Sequence, residues 1–389
     1  MGPVDLVIFQ GTPFCNIDCN YCYLPERLDK TRISLSVIDK TIDRLLEADL
    51  IHGGMTIGWH AGEPLVLPIS FYREAIALIR RKIPENVKVV HNIQTNLTLL
   101  TQEWCDFIKE NNVDLGISLD GPEFLHDRNR VHRNGKGTFH LVMKGIELMK
   151  KNNMPLRAIA VLTKESAMYP IEMFHFFHEL GVEWVGFNID EIESDNTTSS
   201  YTDNSDAEDI VSNFYNTFLD LQRTAGKSFF VRELRNAQLK IKYSPIDNLN
   251  SSQLDLGQLL SPFQLLTVGV KGDFSTFCPE MLHAASTNPY GSLALGNVFE
   301  HSIEDVCKSE KFRRVYTDIM KGVDMCRQNC EYFGLCLGGA PSNKLGEKGT
   351  FATDETMYCR LSKKVPIDVA LTEVLEELSS LSLKQPQHA

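Results

Sequence analysis

The chain has 389 residues, with 51 acidic against 39 basic side chains and a net charge of −12. That balance argues against a broad phosphate-binding surface and so against a nucleic-acid partner. No apolar run is long enough to span a bilayer, and the start, MGPVDLVIFQGT, lacks the basic segment of a signal peptide. The expectation is a cytoplasmic chain with no membrane partner.

From the first residues onward, short apolar runs alternate with amphipathic stretches. Strands are predicted at 4–10, 55–59, 88–94, 114–119, 156–162 and 184–189, and helices at 36–48, 70–82, 102–111, 138–151 and 171–180. This alternation predicts a parallel sheet with helical crossovers. Six such strands fit either a partial barrel or an open doubly wound sheet. Residues 193–206 (ESDNTTSSYTDNSD) read as a solvated acidic loop. Helices are expected at 207–224, completing the sixth unit, and at 231–242. A β-like stretch at 265–277 turns at Lys271-Gly272-Asp273, and a helix at 303–320 leads into an irregular, glycine-containing region. A last helix at 367–381 precedes a polar tail. The implied division is 1–225, a helical connector at 226–262, a cysteine-bearing domain at 263–365, and a terminal helix and tail at 366–389.

Ten cysteines in such a chain point to metal or redox chemistry rather than disulfides. Cys15, Cys19 and Cys22 form a first knot at the C-terminal end of the first strand, the edge where parallel α/β sheets bind ligands. Three thiolates complete neither a tetrahedral zinc site nor a cubane, so one metal position stays open. A zinc knuckle would need a fourth ligand that no neighbour supplies.

The Cys15-X3-Cys19-X2-Cys22 spacing, with Tyr21 before the last cysteine, resembles the signature of the radical S-adenosylmethionine (radical SAM) enzymes. The resemblance implies a [4Fe–4S] cluster whose open iron is chelated by the amino and carboxylate groups of SAM. Reductive cleavage then gives a 5′-deoxyadenosyl radical, with the electron coming from a reducing protein such as a flavodoxin or ferredoxin. The implied fold class is α/β, a partial (β/α)6 TIM-like radical SAM barrel with a C-terminal SPASM-type extension carrying an auxiliary iron–sulfur cluster.

Further segments match in order at successive strand ends. His60-Ala61-Gly62-Glu63-Pro64 resembles the GGEP segment, where backbone carbonyls and Glu63 would receive the methionine ammonium. Gln94-Thr95-Asn96 resembles the QTN segment. Ser118-Leu119-Asp120-Gly121-Pro122, with His126, Asp127 and Arg130, resembles the SLDGP…HDxxR run of peptide-modifying members. There Ser118 is a candidate contact to the ribose or carboxylate of SAM, and Arg130 a candidate partner of the carboxylate. Backbone around Val185 and Phe187 would face adenine. Taken singly, a Ser or Asp at a strand end reads as a helix cap.

The second knot, Cys326-X3-Cys330-X5-Cys336-X22-Cys359, resembles the SPASM extension of radical SAM peptide maturases. Full members hold two auxiliary clusters. Here no cysteine lies upstream of Gly272 where one belongs, and Ala340 stands where another belongs. The missing residues all belong to the inner cluster. The resemblance therefore implies one auxiliary [4Fe–4S] cluster held by Cys326, Cys330, Cys336 and Cys359, and a zinc ribbon is the competing reading. Cys278 is left a free thiol, and Cys105 and Cys307 read as packing residues.

The runs at 59–64, 186–193, 272–280 and 338–344 are similar to GRRM-type maturases that build cyclophanes on ribosomally made precursor peptides. The implied reaction removes hydrogen from a β-carbon and joins that carbon to an aromatic ring. Ring closure also needs a proton acceptor, for which Glu280 is favoured over Asp190, Glu191 and Glu193. With the first strand at about residue 4, leader recognition would fall to the barrel surface, to the acidic insertion at 195–206, or to another protein. Two other functions compete. One is a sulfatase-maturase-like oxidation of Cys or Ser to formylglycine. The other is a non-catalytic, metal-stabilised scaffold that binds peptides.

Overall fold

The computed structural model describes residues 2–194, 196–202, 205–226, 229–243, 257–284 and 287–382. Six βα units come first: β1 (Leu6–Phe9) and α1 (Leu35–Glu47); β2 (Gly54–Trp59) and α2 (Ile69–Lys82); β3 (Lys88–Thr95) and α3 (Gln102–Asn111). Next come β4 (Val113–Ser118) with α4 (Glu123–Asn129) and α5 (Phe139–Lys151), then β5 (Arg157–Leu162) with α6 (Lys164–Ala167) and α7 (Pro170–Leu180). The sixth unit is β6 (Trp184–Ile189) and α8 (Ala207–Ala225). Each predicted strand and helix of these units is present, with ends shifted by one or two residues.

Local chemistry sets the helix limits. The Ser34 and Thr101 side chains accept from the first-turn amides of α1 and α3, which satisfies donors a helix start leaves open. Asn112 and Gly181 adopt the left-handed conformation that ends α3 and α7. Along α1, Val37, Ile38, Thr41, Ile42 and Leu45 share one buried face, the spacing of an amphipathic helix. Truncating Ile42, fully buried there, to Ala costs about 2–5 kcal/mol.

The strand order is β10-β9-β8-β1-β2-β3-β4-β5-β6-β7. The first six units lie side by side in chain order, as in a barrel wall, with no switch point of a doubly wound sheet. β7 (Phe230–Val231) extends the β6 edge and leads into α9 (Arg232–Tyr243). The stretch expected at 265–277 is a hairpin, β8 (Leu265–Val268) and β9 (Asp273–Thr276). β8 pairs in parallel with β1, Leu265 opposite Leu6. The C-terminal region is thus joined to the barrel wall through the same sheet, which β10 (Gly296–Asn297) closes.

The C-terminal region differs from expectation in two ways. The helix expected at 303–320 is two helices, α10 (Ile303–Lys308) and α11 (Glu310–Asn329), because Ser309 caps a new helix start. The second knot is helical rather than irregular. Cys326 lies in the last turn of α11 and Cys330 caps it. Cys336 ends α12 (Phe333–Cys336), and Cys359 ends α14 (Met357–Cys359) beyond α13 (Pro341–Lys348). A π-helical turn, Arg360–Lys364, leads into α15 (Val365–Ser382), which packs on α8 and α9.

The segment after β6 is only partly solvated: Thr197, Thr198, Ser200 and Thr202 are exposed, but other residues are anchored. Tyr201 is buried, as are Glu193 and Ser199. Asp190 accepts from the Ser200 amide at 2.8 Å, and the Asp190 carbonyl accepts from the Ser199 hydroxyl. Hydrogen bonds thus anchor part of this polar run at Asp190. Asp195 and residues 203–204, part of the acidic insertion, lie outside the described residues, as do residues 227–228 and 244–256 of the connector. Among the described residues, no helix is long and apolar enough to cross a membrane.

Candidate active site

Parallel pairing brings the C-terminal ends of β1 to β6 to one edge of the sheet, and the predicted site residues gather there. Cys15, Cys19 and Cys22 sit half-buried on the loop after β1. Arg27 donates to the Cys19 carbonyl at 3.0 Å and Arg133 to the Cys15 carbonyl at 2.7 Å. Asp18 pairs with Arg27 at 2.8 Å. Burial pushes the Cys15 and Cys19 thiols up to about 12, and Glu63 adds to the shift at Cys15. Such thiols ionise only against a cation that binds them, which fits ligands of a metal cluster.

The segment after β2 locks onto this loop. Gly62 has φ +59°, and a Cβ there would overlap the Thr12 carbonyl oxygen and stand 2.6 Å from that of Phe14. The Glu63 amide donates to the Phe14 carbonyl at 2.9 Å. The Glu63 carboxylate accepts from the Leu65 amide at 2.8 Å, the Thr95 hydroxyl at 2.6 Å and the Asn96 amide at 2.8 Å. It is 1% exposed, and burial raises it to about 7. Glu63 therefore ties β2 to β3 instead of presenting an open acceptor to an ammonium group. The backbone around Ala61, itself at φ +75°, remains the surface on offer. Asn96 places its side-chain amide 3.8 Å from Cys15 Sγ and 2.9 Å from the Asn16 side chain.

Arg130 is likewise engaged by the protein. It pairs with Asp120 at 3.0 Å, and both are buried. The Tyr21 hydroxyl donates to the other Asp120 oxygen, and the Val161 amide donates to Asp120 at 2.9 Å. Arg130 Nη1 lies 4.0 Å from Cys19 Sγ, while its buried Nε has no hydrogen-bond partner among the described residues. That nitrogen is the donor left for an anionic ligand. Gln94 donates to Ser118 at 2.9 Å, linking the ends of β3 and β4.

The β6 residues divide by the two-residue period of a strand. Val185 and Phe187 point away from the sheet edge into the helix layer, with the Phe187 ring 4.9 Å from Phe214 and 5.3 Å from Phe218. The Phe187 amide already donates to Glu233 at 2.9 Å. Asn188, on the other face, accepts from Arg232 at 2.6 Å. The exposed residue of β6 is thus Asn188, which meets Arg232 at the start of α9.

Three acids converge from distant segments. Glu191 and Glu193 follow β6, and Glu280 is the second residue of the 3-10 turn Pro279–His283 after β9. Burial raises Glu280 to about 7, and burial with Glu280 as neighbour raises Glu191 to about 8. Glu193, 8% exposed, is raised well above its ordinary value by burial and then by both neighbours. Asn343 donates to Glu191. Tyr23 feels all three acids and Cys22 as well, and its hydroxyl is 3.3 Å from His60 Nε2. Burial lowers His60 to about 4, so its ring is neutral at physiological pH. Asp190 stands apart from this group, committed to the Ser199–Ser200 turn. Sequence reading missed Tyr23, which follows Cys22, and gave no role to His60, which it read only as the first residue of the segment at 60–64.

The second knot surrounds a pocket lined by Cys326, Cys330, Cys336 and Cys359, with Lys344, Lys363 and Lys364. Among the described residues, no three His, Cys, Asp or Glu side chains converge on a point that would hold a single ion. Tetrahedral zinc draws its sulfurs to within about 4 Å of one another, whereas a cubane takes its ligands on separate corners. Four thiols around a lysine-lined cavity fit the larger, anionic group. Cys278 is buried against Ser342, and Cys105 lies on the buried face of α3.

Residues 9–177 match the radical SAM superfamily. The chain is 39% identical to an uncharacterised protein of Synechocystis, over 97% of the chain and 94% of that protein. It is 36% identical to a serine-type anaerobic sulfatase-maturating enzyme of Bacteroides thetaiotaomicron, over 48% of the chain and 46% of that enzyme. Its fold is similar to that of anSMEcpe with bound AdoMet and a peptide, with TM-score 0.76 and 21% identity over 97% of this chain and 99% of the other.

Proposed function

Because the chain belongs to the radical SAM superfamily, we propose that it oxidises a side chain of a peptide or protein substrate, beginning at a β-carbon. The observation that carries this reading is the group of buried acids Glu191, Glu193 and Glu280, gathered near Tyr23, the residue that follows Cys22. When bound, SAM on a cluster held by Cys15, Cys19 and Cys22 supplies a hydrogen-abstracting 5′-deoxyadenosyl radical, and an auxiliary cluster held by the second knot supplies an acceptor for the second electron. Arg130 and the backbone at Ala61 would hold SAM. Glu280, half-buried at the mouth of the acid group, takes the proton that the substrate must lose.

Formylglycine formation from Ser or Cys is the product we favour, since the relatives with named activity are sulfatase-maturating enzymes. For Ser the balance would be direct: the hydrogen atom of the β-carbon would go to the radical that SAM supplies, one electron to the auxiliary cluster, and the hydroxyl proton to the Glu280 carboxylate. A cross-link from the β-carbon to an aromatic ring is the second reading. Ala340 and the lack of a thiol upstream of Gly272 favour it, because they depart from the two-cluster pattern.

The test incubates reduced enzyme and SAM with sulfatase-type peptides and with aromatic-rich precursor peptides. A hydrazide then traps any aldehyde. A hydrazone supports the first reading. Fragments joined through an aromatic ring, without hydrazone, move the assignment to the second. No 5′-deoxyadenosine with either peptide set overturns both.

A further inference from the structure

Lys344 sits on α13 and is 6% exposed. Its ammonium lies 3.4 Å from Cys326 Sγ. Among the described residues no carboxylate is within ion-pair distance of it. Asp354, the nearby acid on the cavity wall, turns its oxygens to the Asn329 side chain at 2.9 Å and the Glu355 amide at 3.0 Å. The packing makes room for this ammonium: Gly322 of α11 faces it, and a Cβ there would stand 3.1 Å from Lys344 Nζ.

A buried ammonium without a counter-ion is costly, because desolvation is not offset by a paired charge. The anion that answers Lys344 must therefore be the group held by the thiols. The other two lysines of the cavity are engaged elsewhere: Lys364 pairs with Glu355 at 2.5 Å, and Lys363 lies over the Tyr358 ring. Of the three, Lys344 is the one whose ammonium directly contacts a ligand sulfur, while Lys364 acts on Cys330 and Cys359 from farther off.

We propose that Lys344 is a built-in counter-charge of the auxiliary cluster and raises its reduction potential. A fixed positive charge beside a ligand sulfur favours the reduced cluster, which carries one more electron and hence one more negative charge. Cluster potentials respond to net charge and to hydrogen bonds at the sulfurs, and Lys344 supplies both to Cys326. The effect suits a cluster that accepts an electron in the site's chemistry. The inference rests on the auxiliary cluster and not on the identity of the substrate.

The experiment uses full-length chain with Cys15, Cys19 and Cys22 replaced by Ala, so that only the auxiliary cluster is loaded. Iron content is measured first, and the midpoint potential is then read by redox titration followed by electron paramagnetic resonance. K344M is expected to shift the midpoint to more negative values at unchanged iron content, while K344R stays near the parent. An unchanged midpoint in K344M overturns the proposal. If K344M loses iron, K344Q and K344R decide. A parental potential in K344Q overturns the proposal, whereas a lowered potential or iron loss in K344Q, with retention in K344R, supports it. Iron loss in K344R too overturns it, since a packing role would then suffice. Because no substrate is present, failure here leaves the peptide-oxidation reading untouched.

Discussion

Arg130 and Asp120 form a buried ion pair at 3.0 Å immediately behind the first cysteine knot. The pair is a hub. Asp120 receives Tyr21 and Val161, and Arg130 Nη1 reaches toward Cys19. Behind it, the Asp120 amide donates to His126 Nδ1 at 3.4 Å, and His126 Nε2 lies 3.1 Å from the Thr138 hydroxyl. That hydroxyl donates to the Arg130 carbonyl at 2.7 Å. Burial holds His126 neutral, near 4, with its proton on Nε2. The HDxxR spacing thus builds a closed circuit around one carboxylate.

Removing one member of this pair leaves the other buried and uncompensated. Arg130→Met should destabilise the protein by about 3–5 kcal/mol, measured by denaturant unfolding. SAM binding by the iron-loaded protein should also weaken, because the free Nε is lost with the same side chain. An unfolding midpoint equal to the parent's would show that water reaches Asp120 and that the pair is not sealed.

Gly62→Ala tests the lock between the second strand end and the cysteine loop. The added Cβ meets two backbone carbonyls, which cannot swing aside as a side chain would, at a φ that L residues rarely adopt. The cost should exceed about 1 kcal/mol. The displaced loop should lower iron retention at the first knot and, with it, the yield of 5′-deoxyadenosine under reductant. The auxiliary cluster, remote in sequence, should still load.

Much of the barrel was legible because its signals are local. The two-residue and 3.6-residue periods mark each βα unit, and the cysteine spacings mark each knot. What escaped was long-range or directional. Nothing near Glu280 announces that Glu191, some ninety positions earlier, will face it. Glu63 was legible as a motif acid, but its direction was not. The amides of Leu65 and Asn96 capture it, and they lie on separate segments. The extension of α11 past Met320 was hidden by Gly322, a weak helix former. That glycine is explained by tertiary contact, since a Cβ would overlap the Phe351 carbonyl and stand 2.9 Å from that of Thr353. The polar run after β6 looked solvated because composition does not reveal that the Ser199 hydroxyl and the Ser200 amide bond back to Asp190.

The raised acids give a pH signature. Glu280 near 7 and Glu191 near 8 bind protons in the folded state that the unfolded chain, near its ordinary value, releases. Fewer protons bound when unfolded means that stability falls as pH rises from about 4.5 to about 8 and levels off beyond. Catalysis should run the other way, since the proton acceptor must be ionised. Substrate oxidation should climb with pH through about 7, while 5′-deoxyadenosine formation stays flatter. Glu280→Gln should slow product formation about 10²–10⁴-fold and remove the climb, with 5′-deoxyadenosine still formed. Full product turnover by this variant would move the proton acceptor to Glu191 or Glu193.

The division of the cysteines is tested by counting iron. Two cubanes require about eight irons per chain after anaerobic reconstitution. Cys330→Ser with Cys359→Ser should leave about four and preserve SAM cleavage, because the first knot is separate from the second. The triple replacement of Cys15, Cys19 and Cys22 should also leave about four but abolish SAM cleavage. Cys278→Ser should leave the count unchanged. Its thiol is fully enclosed, and burial, with Glu280 adding to it, pushes it far above the range in which a free thiol ionises. A loss of iron in Cys278→Ser would place a further ligand at that position. The acid group beside it would then face a metal cluster, and Glu280 would no longer be free to act as the proton acceptor.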